Sequence, residues 1–407
     1  MNTLIVITDF DFDYLSGAGY SRIMCYALAL AKKNVQVKIF SSKYCYSSSF
    51  KEERLNENTV LLKGGEKIHY KTTFEEFHFL RIYRYIKSVY HLSQIKSKYK
   101  NLSYFVYQTK LPYTLLSILY LKIIKKCKVF IEKNELQTAI AKNKLIDNTS
   151  LFNRALLMLY KPINVSLGFI ADILAIWFNG IIVISTNFEK KYKRFQKNII
   201  RIPILVNNTV SHRIISRHKE NIFKIGYFGW IGESKDGLFS LIKAVININS
   251  NINHNIILHI FGSGPRINIF KIKELCVQHK FIIYGGHLES KSVANKLIEY
   301  NLLAFPRPIN LQTKYGFSTK LAEFLISGVP LLTTSVSDNS LFIRDGENGF
   351  LLEARKKIDI NSLVEKLEEI LALDRNTLLR IGEKGKETAL QNFNPLTYSD
   401  KIYSFLA

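Results

Sequence analysis

The chain has 407 residues, with 57 Lys and Arg against 33 Asp and Glu, a formal net charge of +24, and 47% hydrophobic and 13% aromatic residues. That length exceeds one typical core, so two domains are expected, and the apolar content can furnish a core for each. Four cysteines at positions 25, 45, 127 and 276 are widely scattered with no C-x-x-C pair, which suggests neither a zinc site nor a disulfide framework and suits a reducing compartment.

In the first half, 3–8 reads as a short apolar strand. No basic leader or small-residue cleavage site precedes it, so the N-terminus reads as a first strand and not as a signal peptide. An acidic run D-F-D-F-D and then S-G-A-G-Y follow, a helix is expected over 21–33 and a strand over 35–40, a βαβ start. Gly17 and Gly19 allow close approach of backbone to a ligand, but Arg22 stands where a dinucleotide fingerprint needs its third glycine. The stretch 41–70 reads as irregular surface with a weak strand at 60–62. Residues 74–95 mix aromatic and basic side chains at near-helical spacing, which suits either a packing helix with a basic outside or a patch for anionic lipid or acceptor. From 81 to 130 there are 11 Lys or Arg and no acid, so much of the positive charge lies in this half. A charge of +24 implies a polyanionic neighbour, although the general richness in Lys, Ile and Asn accounts for part of it.

A strand at 104–107, a helix from Pro112 to near Ile124 closed by K-K-C-K, and a strand at 128–131 come next. Glu132 and Glu135 then fall where open α/β sheets bind ligands, or are ordinary surface glutamates. Residues 163–185 are long and apolar but contain Asp172 and Asn179, so they read as a helix and a buried strand, not a membrane span. Thr186 or Asn187 caps the basic helix K-K-Y-K-R-F-Q-K.

The second half restarts with a strand at 223–228 and the loop G-W-I-G-E-S-K-D-G, in which Gly229, Gly232 and Gly237 supply flexibility ahead of a helix at 238–246. Strands at 256–261, 281–284 and 302–305 lead to the stretch F-P-R-P-I-N-L-Q-T-K-Y-G-F-S-T-K-L-A-E-F-L-I-S-G-V-P-L-L. There a loop opens into a helix with Ser318 or Thr319 as its cap, ending at Gly328 before a strand at 331–334. Lys320 sits in the first turn and Glu323 three residues on, so the two share a face. A helix start attracts an anion; a lysine there counters a diphosphate, and a carboxylate one turn later accepts two ribose hydroxyls. An ordinary βα unit with a charged, solvated face fits the same periodicity. Helices over 365–373 and 378–390 and a terminal helix complete the chain.

The segment G-F-S-T-K-L-A-E-F-L-I-S-G-V-P resembles the donor site of retaining GT-B-fold glycosyltransferases of family 4, the glycosyltransferase group 1 enzymes. The resemblance implies an α/β GT-B fold. Two Rossmann-like domains would face a cleft: 1–208 for the acceptor and 222–392 for the nucleotide-sugar, a linker at 209–221, and a helix at 393–407 crossing back. It also implies that Glu323, the second glutamate of the E-x7-E motif, binds ribose; Tyr315 stands at the first, a departure that removes the usual contact to the donor sugar. Lys235 matches the family's diphosphate lysine, while Trp230 replaces its arginine, so Lys320 becomes the substitute cation, with Arg266 and Arg307 as weaker ones. By the same resemblance Tyr315, Gly316, Phe317, Ser318 and Thr319 line the donor pocket with Gly229 and Gly232, His287 borders the base, and Gly17 and Gly19 lie near the acceptor and the donor phosphates.

The activity so implied is retaining transfer of a sugar from a nucleotide-sugar to a saccharide, carried on a polyprenyl diphosphate, in bacterial surface-polysaccharide assembly. Lys235, Lys320 and Glu323 carry it, and neither a metal nor a further cofactor is expected. The place of work is the cytoplasm, peripherally at the anionic inner face of the cytoplasmic membrane. A nucleic-acid-binding protein is the rival that the charge suggests, but no zinc-finger spacing or RNP-like strand supports it, and no nucleic-acid partner is expected. An epimerase, a phosphorylase or an inactive homologue on the same fold stays open.

Overall fold

The computed structural model describes residues 1–8, 17–45, 50–64, 90, 101–107, 115–143, 151–206, 222–251 and 256–407. The acidic run at 9–13, Pro112, the linker expected over 209–221 and, Tyr90 aside, the helix expected over 74–95 lie outside these residues. The described residues form two units: one from within Met1–Lys144, Leu157–Asn207 and Pro395–Ala407, the other running through to Asn394.

The first unit is built on an eight-stranded sheet. Its strands are β1 (Thr3–Thr8), β2 (Gln36–Cys45), β3 (Phe50–Asn56), β4 (Thr59–Gly64), β5 (Leu102–Tyr107), β6 (Lys128–Lys133), β7 (Gly180–Val183) and β8 (Ile199–Arg201), in the order β3-β4-β2-β1-β5-β6-β7-β8. β1 is T-L-I-V-I-T with all six residues buried, the unbroken apolar run of a parallel strand covered on both faces. Leu4 and Val6 of β1 share a core with Ile23, Tyr26 and Leu30 of helix α1 (Ala18–Ala31) and with Ile402 and Leu406 of the terminal helix Ser399–Leu406. The returning helix is thus part of the first unit's core, and the Ser103 hydroxyl donates to the Leu406 carbonyl at 2.7 Å.

Three stretches differ from expectation. The strand expected at 60–62 is β4, but the stretch before it, taken as irregular surface, holds β3, paired antiparallel with β4. β3 reads F-K-E-E-R-L-N, whose charges hide the strand signal and suit an edge. Glu132, expected past its strand, lies inside β6 and is buried. It pairs at 3.0 Å with Arg22, whose guanidinium also donates to the Ile202 carbonyl at 2.9 Å, to the Pro203 carbonyl and to the Tyr26 hydroxyl at 2.8 Å. Burial raises the Glu132 carboxyl, and Arg22 opposes that rise. This glutamate therefore holds α1 and the chain at 202–203 to the carboxyl edge of the sheet. On the basic helix Thr186–Tyr192, the cap is Ser185, which accepts from the Phe188 amide, and neither Thr186 nor Asn187.

The second unit is a six-stranded sheet of β9 (Phe223–Phe228), β10 (Ile256–Phe261), β11 (Ile282–Gly286), β12 (Leu302–Phe305), β13 (Leu331–Thr334) and β14 (Phe350–Leu352). All its pairings are parallel, in the order β11-β10-β9-β12-β13-β14. The chain builds outward from β9 to one side through β10 and β11, then returns to start β12 on the other. That is the doubly wound Rossmann order, and β9 and β12 flank its switch point, where open α/β sheets bind ligands past the carboxyl ends.

Removing one member of the Arg22–Glu132 pair leaves the other charged and buried. Arg22→Ala is expected to destabilise the first unit by about 3–5 kcal/mol, and Arg22→Met with Glu132→Leu to recover most of that loss. Urea unfolding followed by circular dichroism measures both; equal loss in the single and double variants would show that the charges are not the cause.

Candidate functional site

At the switch point the loop after β9 carries G-W-I-G-E-S-K-D-G and the loop after β12 carries P-R-P-I-N. The first is pinned from two directions. Beside β10, the Gly229 amide donates to the Phe261 carbonyl at 2.9 Å and the Ile231 amide to the Ser263 carbonyl at 2.9 Å, so the two loops continue the sheet pairing beyond the strands. Gly262 adopts φ 145, and a Cβ there would overlap the Gly229 carbonyl, so this close approach needs glycine. On the β12 side, the Arg307 Nε donates to the Lys235 carbonyl at 3.1 Å and the Asn310 amide group to the Ser234 carbonyl at 2.6 Å. Asn310 also caps the short helix Leu311–Tyr315 in a capping box with Thr313.

Asp236 stands where these loops meet and is fully buried. Its Oδ2 accepts from the Lys320 ammonium, and the Arg307 Nε lies 3.6 Å from its Oδ1, which has no hydrogen-bond partner of its own. Burial alone would raise this carboxyl; Lys320 and then Arg307 and Lys235 outweigh it and hold it below the usual carboxylate range. The Lys320 amine is in turn lowered, by burial first and by the nearby positive charges of Lys235 and Arg307, while Asp236 works against the fall. Three cations thus gather about one carboxylate, a net positive cluster at the carboxyl edge of a parallel sheet.

Lys320 reaches this place from helix α10 (Thr319–Ile326; the helix from residues 137–143 counting as α2, 151–174 as α3, 186–192 as α4, 233–236 as α5, 238–251 as α6, 266–278 as α7, 290–297 as α8 and 311–315 as α9). Its inward face is Leu321, Ala322, Phe324 and Leu325, all buried, which leaves Lys320 and Glu323 on the half-buried side. Ser318 occupies the N-cap position, but its side chain makes no capping hydrogen bond, and neither does Thr319 take that role. The expected side-chain cap is therefore absent, and the helix start keeps amides for another acceptor. Burial raises the Glu323 carboxyl, and the charge of Lys320 lowers it in opposition. A Cβ at Gly229 would overlap the Lys320 ammonium, so the lysine fills the space beside Gly229, next to Trp230.

The structure thus brings together Gly229, Lys235, Lys320 and Glu323 of the expected site. Gly232 is buried at the start of α5, with a hypothetical Cβ 3.1 Å from the Trp230 ring. Tyr315 is half-buried and Gly316 buried in extended backbone. The Phe317 ring stacks on Phe342 at 5.5 Å and meets Phe393 edge-on, so its side chain belongs to an aromatic core cluster. His287 is exposed just past β11. Gly17 caps α1 with φ 93, and Gly19 is buried in that helix; both belong to the first unit. The sequence reading missed Asp236 and gave Arg307 a minor part. Nothing local marks Asp236 off from other acids in a glycine loop, because its partners are Arg307 and Lys320, far away in sequence.

Residues 222–373 match the family model described as glycosyl transferases group 1. No curated protein matches the chain. Among solved structures, sucrose-phosphate synthase from Thermosynechococcus elongatus has a TM-score of 0.70 at 14% identity, over 99% of this chain and 98% of that one. HepE from Anabaena, in complex with UDP and glucose, has a TM-score of 0.66 at 12% identity, over 99% of both chains. WaaG, a glycosyltransferase involved in lipopolysaccharide biosynthesis, has a TM-score of 0.63 at 14% identity, over 99% of both chains. Likeness at this level of identity shows the fold, and the fold is GT-B.

Asp236→Asn removes the charge that balances Lys320 and Arg307, and is expected to lower stability at neutral pH by about 3–5 kcal/mol. The folded pKa of Asp236 is depressed, so its contribution is complete above the unfolded carboxylate pKa and fades as pH falls through the folded value. Urea midpoints of the two proteins should therefore converge in acid; a gap that stays constant with pH would rule out this ionisation as its source.

Proposed function

We propose that the chain is a retaining glycosyltransferase of family 4 that moves a sugar, hexosyl in kind, from a nucleotide-sugar to a saccharide acceptor. The observation that carries this reading is the cationic cluster of Lys320, Arg307 and Lys235 at the β9–β12 switch point, beside an uncapped helix start. Positive charge beside a helix start that lacks a side-chain cap suits a diphosphate. Lys320 lies against Gly229, next to the position where the family carries an arginine and this chain has Trp230. It supplies a cation to the same space from another element. HepE, a structural neighbour bound to UDP and glucose, agrees with a nucleotide-sugar as ligand.

In the proposed reaction the bond from the sugar's anomeric carbon to the β-phosphate oxygen breaks first, giving an oxocarbenium-like state. The acceptor hydroxyl attacks on the face just vacated, and its proton passes to the departing phosphate oxygen. Lys235 and Lys320 stabilise the charge that grows on that diphosphate, with Asp236 holding Lys320 in place; such preorganised electrostatics is the main lever of the protein here. Glu323 holds the ribose. The departure at Tyr315 takes away one acidic contact to the donor sugar, so sugar selection falls to other groups. The acceptor is a saccharide on a polyprenyl diphosphate in surface-polysaccharide assembly, a reading supported by the basic surplus of the first half of the chain.

Thermal-shift screening of nucleotide-sugars identifies the donor, and product analysis with acceptor tests transfer and retention. With the best nucleoside diphosphate, Lys235→Ala is expected to weaken binding by about 1.5–3 kcal/mol in calorimetry while leaving any free-sugar binding unchanged. Unchanged diphosphate affinity would remove Lys235 from the site. Glu323→Gln is expected to abolish most of the preference for ribose over deoxyribose with little effect on melting. Because the Glu323 pKa is raised, that preference should be weak at acid pH and grow as pH climbs past the usual glutamate range. A variant that melts early yet keeps its ribose preference would make Glu323 a structural residue.

A further inference from the structure

Helix α3 (Leu151–Leu174) is packed the wrong way round for a water-facing helix. From residue 161 onward its buried positions are Gly168, Ala171 and Asp172, followed by Ala175 in the next turn. The bulky residues Ile163, Leu167, Phe169, Ile170 and Ile173 are exposed, and Trp177 after them is 56% exposed. The small inward residues let the helix lie close: a Cβ at Gly168 would fall 2.8 Å from the Gln137 backbone. Asp172 is consumed inside. It accepts from Lys133 at 2.8 Å and from the Gln137 and Thr138 amides at 3.1 Å each, so it caps α2 (Gln137–Asn143).

This apolar surface continues on both sides of Trp177. The Trp177 carbonyl accepts from Lys122, on the π-helix Ser117–Ile124, where Leu119, Ile123 and Ile124 are also exposed. On the other side Gln196 donates to the Ile176 carbonyl at 3.1 Å and to the Phe178 carbonyl at 2.9 Å, which sets Phe195, 71% exposed, beside the same turn. Lys126, Lys161, Lys193, Arg194 and Lys197 are exposed on these stretches, and the one acid within 115–128, 161–177 and 190–197 is the buried Asp172. All of this lies in the first unit.

Monomeric proteins rarely expose so many neighbouring apolar side chains without a partner. A protein partner or a second copy would be met with charges of both signs at the rim; here every exposed charge on these stretches is positive. We propose that this face, formed by α3, the π-helix and the 192–197 turn, seats in the headgroup–acyl boundary of an anionic bilayer, with Trp177 and Phe195 at the depth of the interface and the cations among the headgroups. No helix of the described residues is long and apolar enough to cross a membrane, so the contact is one-sided. Such seating brings the first unit to a lipid-borne acceptor, but it rests on the first unit's surface and not on the transfer reading.

The chain has two tryptophans, so Trp230→Phe leaves Trp177 as the sole indole reporter. With phosphatidylcholine vesicles containing phosphatidylglycerol, its emission is expected to shift to shorter wavelength and the protein to sediment with the vesicles; phosphatidylcholine alone should give neither. Brominated acyl chains should quench Trp177. Ile170→Ser with Ile173→Ser, both at exposed positions and checked for folding by circular dichroism, should weaken vesicle partition by at least about tenfold. Sedimentation without a shift or quenching, fully reversed by salt, would reduce the contact to charge alone and overturn the proposal. Partition unchanged in the double variant would overturn it too, as would a shift that appears without lipid and grows with protein concentration, the mark of a second copy on this face. No nucleotide or sugar is present, so failure here leaves the diphosphate measurements standing.

Discussion

One buried carboxylate organises the carboxyl edge of the second unit's sheet. Asp236 has no access to water and is held by Lys320 from helix α10 and by Arg307 from the loop after β12. Those elements and the glycine loop after β9 meet at a single negative charge, which fixes their mutual positions without an apolar plug between them. A charged hinge of this kind is weak evidence for stability and better evidence for placement, because a hydrophobic substitute of equal volume would pack as well but present no cation. The arrangement leaves a positive excess at the surface and keeps Lys320 from wandering, two conditions that a diphosphate site needs before its ligand arrives.

The first unit repeats the same device with the opposite outcome. Arg22 and Glu132 also sit at the carboxyl edge of a parallel sheet, but the guanidinium is spent on backbone carbonyls, a tyrosine hydroxyl and the glutamate. The Arg22 charge is spent within the group, and the pair serves to close the edge. Lys133 with Asp172 does likewise beneath α3. Of these three buried cation–carboxylate groups among the described residues, the one with surplus charge is the one beside glycine loops and a helix start that lacks a side-chain cap.

The parallel strands were legible because burial on both faces leaves unbroken apolar runs, as in T-L-I-V-I-T of β1 and L-L-A-F of β12. β3 was not, since an edge strand made of K-E-E-R looks like loop until its partner β4 is known. In the site, Lys320 and Glu323 stood out by their i,i+3 spacing at a helix start, and Lys235 by its match to the resembled family's diphosphate lysine. Asp236 did not, because its role depends on two cations that are distant in sequence, 84 positions away for Lys320. The same limit hid Glu132, whose partner Arg22 lies 110 positions earlier. Capping at Thr186–Tyr192 was misjudged for a local reason: Ser185, Thr186 and Asn187 in a row offer several caps, and backbone geometry at one residue decides; at α10 Ser318 holds the expected N-cap position but makes no side-chain bond.

The terminal helix has a consequence for how the chain is made. Ile402 and Leu406 belong to the core that also holds Leu4, Val6 and Ile23, and the Ser103 hydroxyl is bonded to a carbonyl 303 positions later. During synthesis the first unit therefore leaves the ribosome with a gap in its core that only residues translated after the whole second unit can fill. The second unit's sheet, complete with β14 at Phe350–Leu352, has all its strands earlier than that. Order of emergence and order of completion run opposite ways, against the usual N-terminal-first sequence of domain folding. The nascent first unit must keep an apolar groove open for the whole time the other is being made, which makes that interval the one in which the chain has most need of a chaperone.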